Sequence, residues 1–443
     1  MSAITPQRRL LGGAIGAFVE WYDFHVYGLS APILALHFFP QSNPTTALLS
    51  TFAVYALALL VRPVGGAFFG YLGDRYGRMN ILSVTVLMMG AVTMITGLLP
   101  TYESHGILAP ILLVLCRLAQ GFSAAGETSG ALSYVLESAP PGRRARWAAL
   151  IGGWGFLPVA IAAVIIYGLR VWLGDDAYTA WGWRITFLFG GVLGVVGLWL
   201  RRRLDDPEEY SEARRENPNL NPILSVATKT SARRSTVNVV LLTALQAVSA
   251  YILLGYMYTF LLKVANIGAT AALLTNGAAN VLIFVFLPIF GAIADRAGRR
   301  TVMFGGAIWL LLAAYPAFAL ASAGTVAGAI GGQLLLVIGF SMYAGGSFAA
   351  TLELFPTSMR QSGHAIAYNL GFAIFGGFTP LLATWLVSVT GSPVSPAFFL
   401  IAIAVLGFIT LIFTPETRDV RLRDSVVNDR STVKTDLVGA HHT

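Results

Sequence analysis

Eleven residues beginning at Gly70, GYLGDRYGRMN, return half a chain later at Gly291 as GAIADRAGRRT. Gly70, Asp74, Arg75, Gly77 and Arg78 stand in register with Gly291, Asp295, Arg296, Gly298 and Arg299. Each copy closes one apolar run and opens the next. A second pair follows the same rule: ESAPPGRR, with Glu137, Pro140 and Arg144, matches ELFPTSMR, with Glu353, Pro356 and Arg360. A third pair is Pro207-Glu208 and Pro415-Glu416. One such match is weak, but three at nearly one offset imply a duplicated unit and a membrane transporter built as two like halves.

The solvent for such a chain follows from its charge. Only 11% of residues are charged and 56% are hydrophobic, with mean hydropathy +0.70, whereas a soluble domain carries about 25% charged residues. The chain cannot cover itself with a hydrated surface, so lipid must be its solvent over most of its area. A membrane helix needs about 20 mostly apolar residues. Twelve runs qualify, near 11–38, 47–72, 80–100, 107–136, 146–169, 183–200, 236–263, 271–294, 301–322, 325–352, 364–389 and 395–414. The expected fold is an all-α membrane protein of twelve transmembrane helices in two pseudo-symmetric six-helix bundles. Residues 1–200 form the first bundle and 236–417 the second. The polar stretch 201–235 is a cytoplasmic connector, and 418–443 a cytoplasmic tail whose polarity and lack of apolar periodicity predict disorder.

The net charge of +8 and pI near 9.7 suggest a polyanion until the positions are read. Only Arg62, Arg117, Arg170, Arg184 and Lys263 fall within or outside the membrane when the N-terminus is placed in the cytoplasm. Every other Lys and Arg falls in alternate loops on one side, and the outward loops FPQSNPTT and TYESHG contain none. That is the positive-inside bias of a multi-pass membrane protein, with both termini expected in the cytoplasm and no nucleic-acid partner. The start MSAITPQRRL resembles a signal peptide, but Glu20 and Asp23 interrupt the apolar stretch and no cleavage site follows, so an uncleaved first helix is expected. The lone Cys116 allows neither an intrachain disulfide nor a cysteine metal cluster. No HExxH, paired CxxC, Walker loop or nucleophile elbow is present, so no enzyme chemistry, metal or cofactor is expected.

Chemistry then rests on charges placed in apolar runs. Glu20, Asp23 and Tyr27 share one face of the first helix. A carboxylate in the bilayer must be paired or face water, and burial favours its neutral form, so Glu20 or Asp23 can carry a proton. Arg117 cannot shed its proton and needs a partner, either Asp23 or a bound anion; Glu127 lies ten residues on. A carboxylate–Arg117 pair responding to substrate competes with a permanent pair that only fixes packing. Arg62 offers a fork shaped for a carboxylate, with snorkelling to the headgroups as its rival. Gln246, Asn276, Asn280 and Tyr368 supply polar lining in the second half, either to a cavity or to other helices. In the doubled loop, Asp74 and Asp295 can cap the start of a helix from the other half, where the dipole favours negative charge. Arg78 with Glu137, and Arg299 with Glu353, would then latch the cytoplasmic gate. The alternative is a static turn whose surface ion pairs contribute about 0–1 kcal/mol each.

The doubled GxxxDRxGR loop resembles the signature of the major facilitator superfamily, and RLAQGFSAAGE from Arg117 resembles its fourth-helix motif. GAFVEWYDFHVYG, VRPVGGAFFGYLGDRYGR, WGWRITF, PTSMRQSG and AYNLGFAIFGGFTP look like the metabolite:proton symporters, the group of α-ketoglutarate, citrate, shikimate and proline/betaine permeases. The resemblance implies proton-coupled uptake of a small polar metabolite by a monomer, through alternating access. It also implies that Arg62 contacts substrate, as in carboxylate-transporting relatives. The substrate class expected is an organic acid such as a di- or tricarboxylate, with export of a drug or metabolite, or ligand sensing without transport, as alternatives. Thr128, in AGETSG, stands where the group often carries an aromatic, a departure that bears on the substrate.

Overall fold

The computed structural model describes residues 6–39, 43–76, 78–124, 142–201, 230–355 and 360–420, with a few positions between 132 and 140. Among the described residues, twelve apolar helices follow one another. They are α1 (Pro6–Phe38), α2 (Pro44–Tyr76), α3 (Arg78–Leu98) and α4 (Leu108–Ser123), then α5 (Arg144–Leu173), α6 (Asp175–Trp199) and α7 (Arg233–Lys263). Next come α8 (Ala269–Ala297), α9 (Arg299–Ala321), α10 (Val326–Glu353), α11 (Gly363–Thr390) and α12 (Ser395–Phe413). Nine of them, α2 and α5 to α12, hold a described stretch long and apolar enough to cross a membrane; α3 and α4 hold shorter ones, Ser83–Leu98 and Leu108–Ser123. Most of the expected connector and tail lies outside the described residues.

Local chemistry sets the boundaries. Gly298, at φ +101°, turns the chain between α8 and α9 in a conformation that L side chains avoid. Thr325 caps α10 by accepting the Gly328 N–H at 3.1 Å. Inside α5 the helix breaks at Gly155 and Phe156, leaving Arg144–Trp154 and Leu157–Leu173. Pro158 has no N–H to give the Trp154 carbonyl, which is why the ladder fails there. Wide π turns interrupt α6 at Tyr178–Gly182, α7 at Ile252–Tyr256 and α11 at Phe372–Gly376. These irregularities are missing from the sequence expectation, which accordingly begins the sixth helix late.

Lipid offers no hydrophobic force between helices, so close backbone contact holds them. α3 lies on α6 where Gly90 faces Gly194, and a β-carbon on Gly90 would come within 2.6 Å of the Gly194 Cα. α2 lies on α4 where Gly121 abuts the Ala58 carbonyl and Gly65 abuts the Phe122 carbonyl. A methyl at Gly121 meets fixed backbone, so Gly121→Ala is expected to destabilise the fold by about 1–3 kcal/mol. Thermal unfolding in detergent measures this, and an unchanged midpoint would refute the contact.

The halves meet from end to end. α5 runs along α8, α2 along α11, and α1 crosses α7. Gly28 approaches Gly255, Gly277 approaches Ala163 and Gly291 approaches Ala145. α7 is the most enclosed span, with 78% of its most apolar stretch buried against 39–56% in the other eight. It is therefore a wall of the interior, while Leu312, Trp172 and Phe413 point outward from their helices, 69%, 75% and 78% exposed.

Candidate functional site

A narrow cavity lies between the halves. Trp21 from α1 and Phe156 from α5 face Phe340 and Phe348 from α10, with Tyr368 and Phe372 from α11; Gln246 from α7 adds an amide. About 30 Å³ is open to the centre of a water-sized sphere, room for about two waters. The break in α5 shapes this wall, since Gly152, Gly155 and Phe156 all line it.

Within the first half, the carboxylate of Asp23 is enclosed by donors. Arg117 donates from Nη1 to Oδ2 at 2.9 Å and from Nη2 to Oδ1 at 3.5 Å. Gln120 Nε2 donates to Oδ1 at 2.6 Å and Thr93 Oγ1 at 2.8 Å. Asp23, Arg117, Gln120 and Thr93 are all at most 1% exposed. The Arg117 guanidinium lies 3.9 Å from the ring centre of Tyr27, a cation–π contact. The Tyr27 hydroxyl is committed to the Thr51 carbonyl at 2.9 Å, so Tyr27 packs on the arginine with its face. Three helices converge on one carboxylate: α1, α3 and α4. Arg117 and Gln120 are i, i+3 on α4, a pattern visible in the sequence; Thr93 on α3 carried no signal.

Glu20, one turn before Asp23, forms an ion pair with Arg62 of α2. The Arg62 guanidinium lies 4.9 Å from the ring centre of Phe24 and 5.9 Å from that of Trp21, the cavity wall. Arg62 is 4% exposed. It therefore does not reach for headgroups, and its fork is met by a carboxylate of the protein itself. Trp21 is in turn stacked on His25, with ring centres 5.5 Å apart, and His25 Nε2 donates to the Gly155 carbonyl at 2.8 Å. His25 thus ties α1 to the break in α5. The sequence reading passed over it.

In the second half, Gln246 Nε2 donates to the Tyr368 hydroxyl at 3.4 Å, and Ser347 Oγ donates to Gln246 Oε1 at 2.8 Å. Asn276 instead bonds between helices, to the Leu253 carbonyl at 2.8 Å and Gln333 Oε1 at 3.1 Å. Asn280 bonds back to the Asn276 carbonyl. Neither asparagine lines the cavity. Arg184 gives Nη1 to the carbonyls of Gly97 and Leu99, where α3 ends.

The second copy of the doubled loop is fully described. Asp295 accepts the N–H groups of Ala145 at 2.9 Å and Arg146 at 3.0 Å, capping α5 from the other half. Arg299 lies 3.2 Å from both Asp295 and Glu353. Thr417 Oγ1 donates to Glu353 at 2.6 Å. Glu416 caps α9 by accepting the N–H groups of Arg299 and Arg300 at 2.9 and 3.0 Å, a role not assigned from the Pro-Glu repeat. The side chains of Asp74 and Arg78, and residues Glu127 and Glu137, lie outside the described residues.

The sequence model of the Major Facilitator Superfamily matches residues 13–367 and 274–438. A proline/betaine transporter of Salmonella typhimurium is 33% identical over 448 residues, covering 98% of this chain and 89% of that one. A glycine betaine/proline/ectoine/pipecolic acid transporter of Dickeya dadantii is 33% identical over 453 residues, with 98% and 89% covered. The partially occluded inward-open structure of the Escherichia coli xylose transporter XylE aligns over 94% of this chain and 99% of that one. Its TM-score is 0.74 at 18% identity, a likeness of fold. By its family match, its relatives and its twelve helices, the chain belongs to the Major Facilitator Superfamily.

Proposed function

We propose that the chain is a proton-coupled uptake carrier for a small zwitterion of the proline or betaine kind. It works as a monomer by alternating access in the bacterial inner membrane, with both termini cytoplasmic. One observation carries the choice of substrate: the buried acids of α1 are taken up in two neutral pairs, Glu20–Arg62 and Asp23–Arg117, while the cavity wall is aromatic. A dianion needs an uncompensated cation to offset its desolvation, and Arg62 and Arg117 already have counter-charges. A zwitterion needs none, and its ammonium end suits the faces of Trp21, Phe340 and Phe348. The names of the relatives support the same class.

Asp23 is the proton site of this cycle. A proton on its carboxyl removes the charge that holds Arg117, Gln120 and Thr93 together, and so loosens α1 from α3 and α4. The Asp295 cap, steadied by Arg299 between Asp295 and Glu353, holds the cytoplasmic end shut until that happens. Glu20 and Arg62 hold α1 to α2 behind Trp21. Glu127, with Asp74, Arg78 and Glu137 in the first copy of the gate, completes the set expected from sequence.

Purified protein in liposomes tests this by counterflow. Labelled proline and glycine betaine are expected to exchange, and to accumulate when the lumen is alkaline, with accumulation collapsed by a protonophore. Counterflow of succinate or citrate with none of betaine would return the substrate to the organic acids. Accumulation driven only by the opposite gradient would make the protein an exporter, and binding without flux would make it a sensor.

A further inference from the structure

Five buried polar groups in the second half form a loop of contacts, with Phe372 packed on it, and the loop reaches the cavity along one side. Gln246 of α7 accepts from Ser347 and donates to Tyr368 of α11. One turn along α10 from Ser347, Thr351 Oγ1 meets His364 Nε2 at 3.2 Å, and its hydroxyl lies 2.8 Å from the Ser347 carbonyl. His364 then stacks on Tyr368, ring centres 5.0 Å apart, and Phe372 packs on the other side at 4.5 Å. Gln246, Ser347, Thr351, His364, Tyr368 and Phe372 are each at most 4% exposed. Of the five polar members, only Gln246 and Tyr368 line the cavity.

The direction of the bonds matters. With Ser347 donating to its carbonyl oxygen, the Gln246 amide turns its NH₂ toward Tyr368. The phenol oxygen is thereby the acceptor. A phenol has one proton to give in addition to its acceptor sites, and Gln246 is the partner of this hydroxyl among the described residues. The proton is left for whatever enters the cavity. The Gln246 bond and the rings of His364 and Phe372 packed on it hold Tyr368 in place, so its hydroxyl presents one donor carrying no formal charge.

We infer that Tyr368 donates to the carboxylate of the substrate, and that Gln246, Ser347, Thr351 and His364 are positioning residues that hold the hydroxyl on target. The inference rests on the zwitterion proposal and adds a division of labour: the second half recognises the carboxylate, and the aromatic wall takes the ammonium end. A neutral donor suits a single carboxylate. It gives a dianion too little compensation for leaving water, so it discriminates as well as binds.

The test is counterflow of glycine betaine by the wild-type chain and by Tyr368→Phe, which keeps the ring and removes the hydroxyl. The half-saturation concentration is expected to rise by about 10- to 100-fold, the scale of one hydrogen bond to a charged group, with the maximal rate retained. Competition by choline, which has the trimethylammonium group but no carboxylate, is expected to be as strong or as weak in Tyr368→Phe as in the wild type. Thr351→Val, which cuts the loop away from the cavity, is expected to raise the betaine half-saturation by about 3-fold with the same maximal rate. An unchanged betaine half-saturation in Tyr368→Phe, or an equal loss for betaine and choline, overturns the assignment. A wild-type protein that exchanges citrate and no betaine shows instead that the zwitterion proposal has failed.

Discussion

Asp23→Asn is expected to abolish accumulation of substrate against a gradient, lowering the steady-state ratio by more than about 100-fold. The same variant leaves Arg117 buried without its counter-charge, and breaking a buried pair in this way costs about 3–5 kcal/mol. Loss of accumulation alone is therefore ambiguous between lost coupling and lost structure. The double variant Asp23→Asn with Arg117→Gln separates them, because it removes both charges together. Its thermal midpoint is expected to recover most of the loss. Its exchange should be measurable, though slowed, while accumulation under a proton gradient stays absent. If the double variant accumulates substrate like the wild type, the proton is carried elsewhere, with Glu20 the next carboxylate to test.

The second large effect is at the gate. Asp295→Ala removes the acceptor of the Ala145 and Arg146 N–H groups and a charge 3.2 Å from Arg299. Loss of a helix cap costs up to about 2 kcal/mol. Because this cap crosses between halves, its loss is expected to favour the cytoplasm-open form by about 30-fold in equilibrium constant. The readout is thiol labelling of a cysteine placed at Ile151, beside Gly152 on the cavity wall, in a Cys116→Ser background. Cys116 is the chain's only native thiol and is buried. Reagent applied from the cytoplasmic side is expected to label the Asp295→Ala protein about 30-fold faster. Equal rates would make the capped turn a static one.

The fold was legible because lipid simplifies the problem. A span must be long and apolar, and α2 and α5 to α12 are visible as such runs whatever they pack against. The Asp295 cap was legible for a different reason: a helix start without partners attracts an acceptor, and duplication marked the residue. What the sequence hid is which helix faces which. Arg62 looked available to a substrate because nothing in the chain says that its helix face meets Glu20 on α1. Asn276 and Gln246 are alike as buried amides, yet one binds a neighbouring backbone and the other opens on the cavity. His25 was overlooked although Trp21 stands one turn away, since an i, i+4 aromatic pair is common in packed helices. The break at Gly155 that gives His25 its partner follows from Pro158 only once α5 is known to continue through it.

Electroneutrality at the centre determines how voltage acts on this carrier. Glu20 cancels Arg62 and Asp23 cancels Arg117, so the described core of the empty protein moves no net charge when it turns over. In the proposed cycle a proton on Asp23 would give the loaded carrier one positive charge, and a zwitterionic cargo would add none. An inside-negative potential of 100 mV then contributes about 2.3 kcal/mol to the loaded passage, a factor of about 50 in accumulation, and leaves the empty return unaffected. Such a carrier keeps concentrating its substrate when the pH inside and outside are equal, provided the membrane stays polarised.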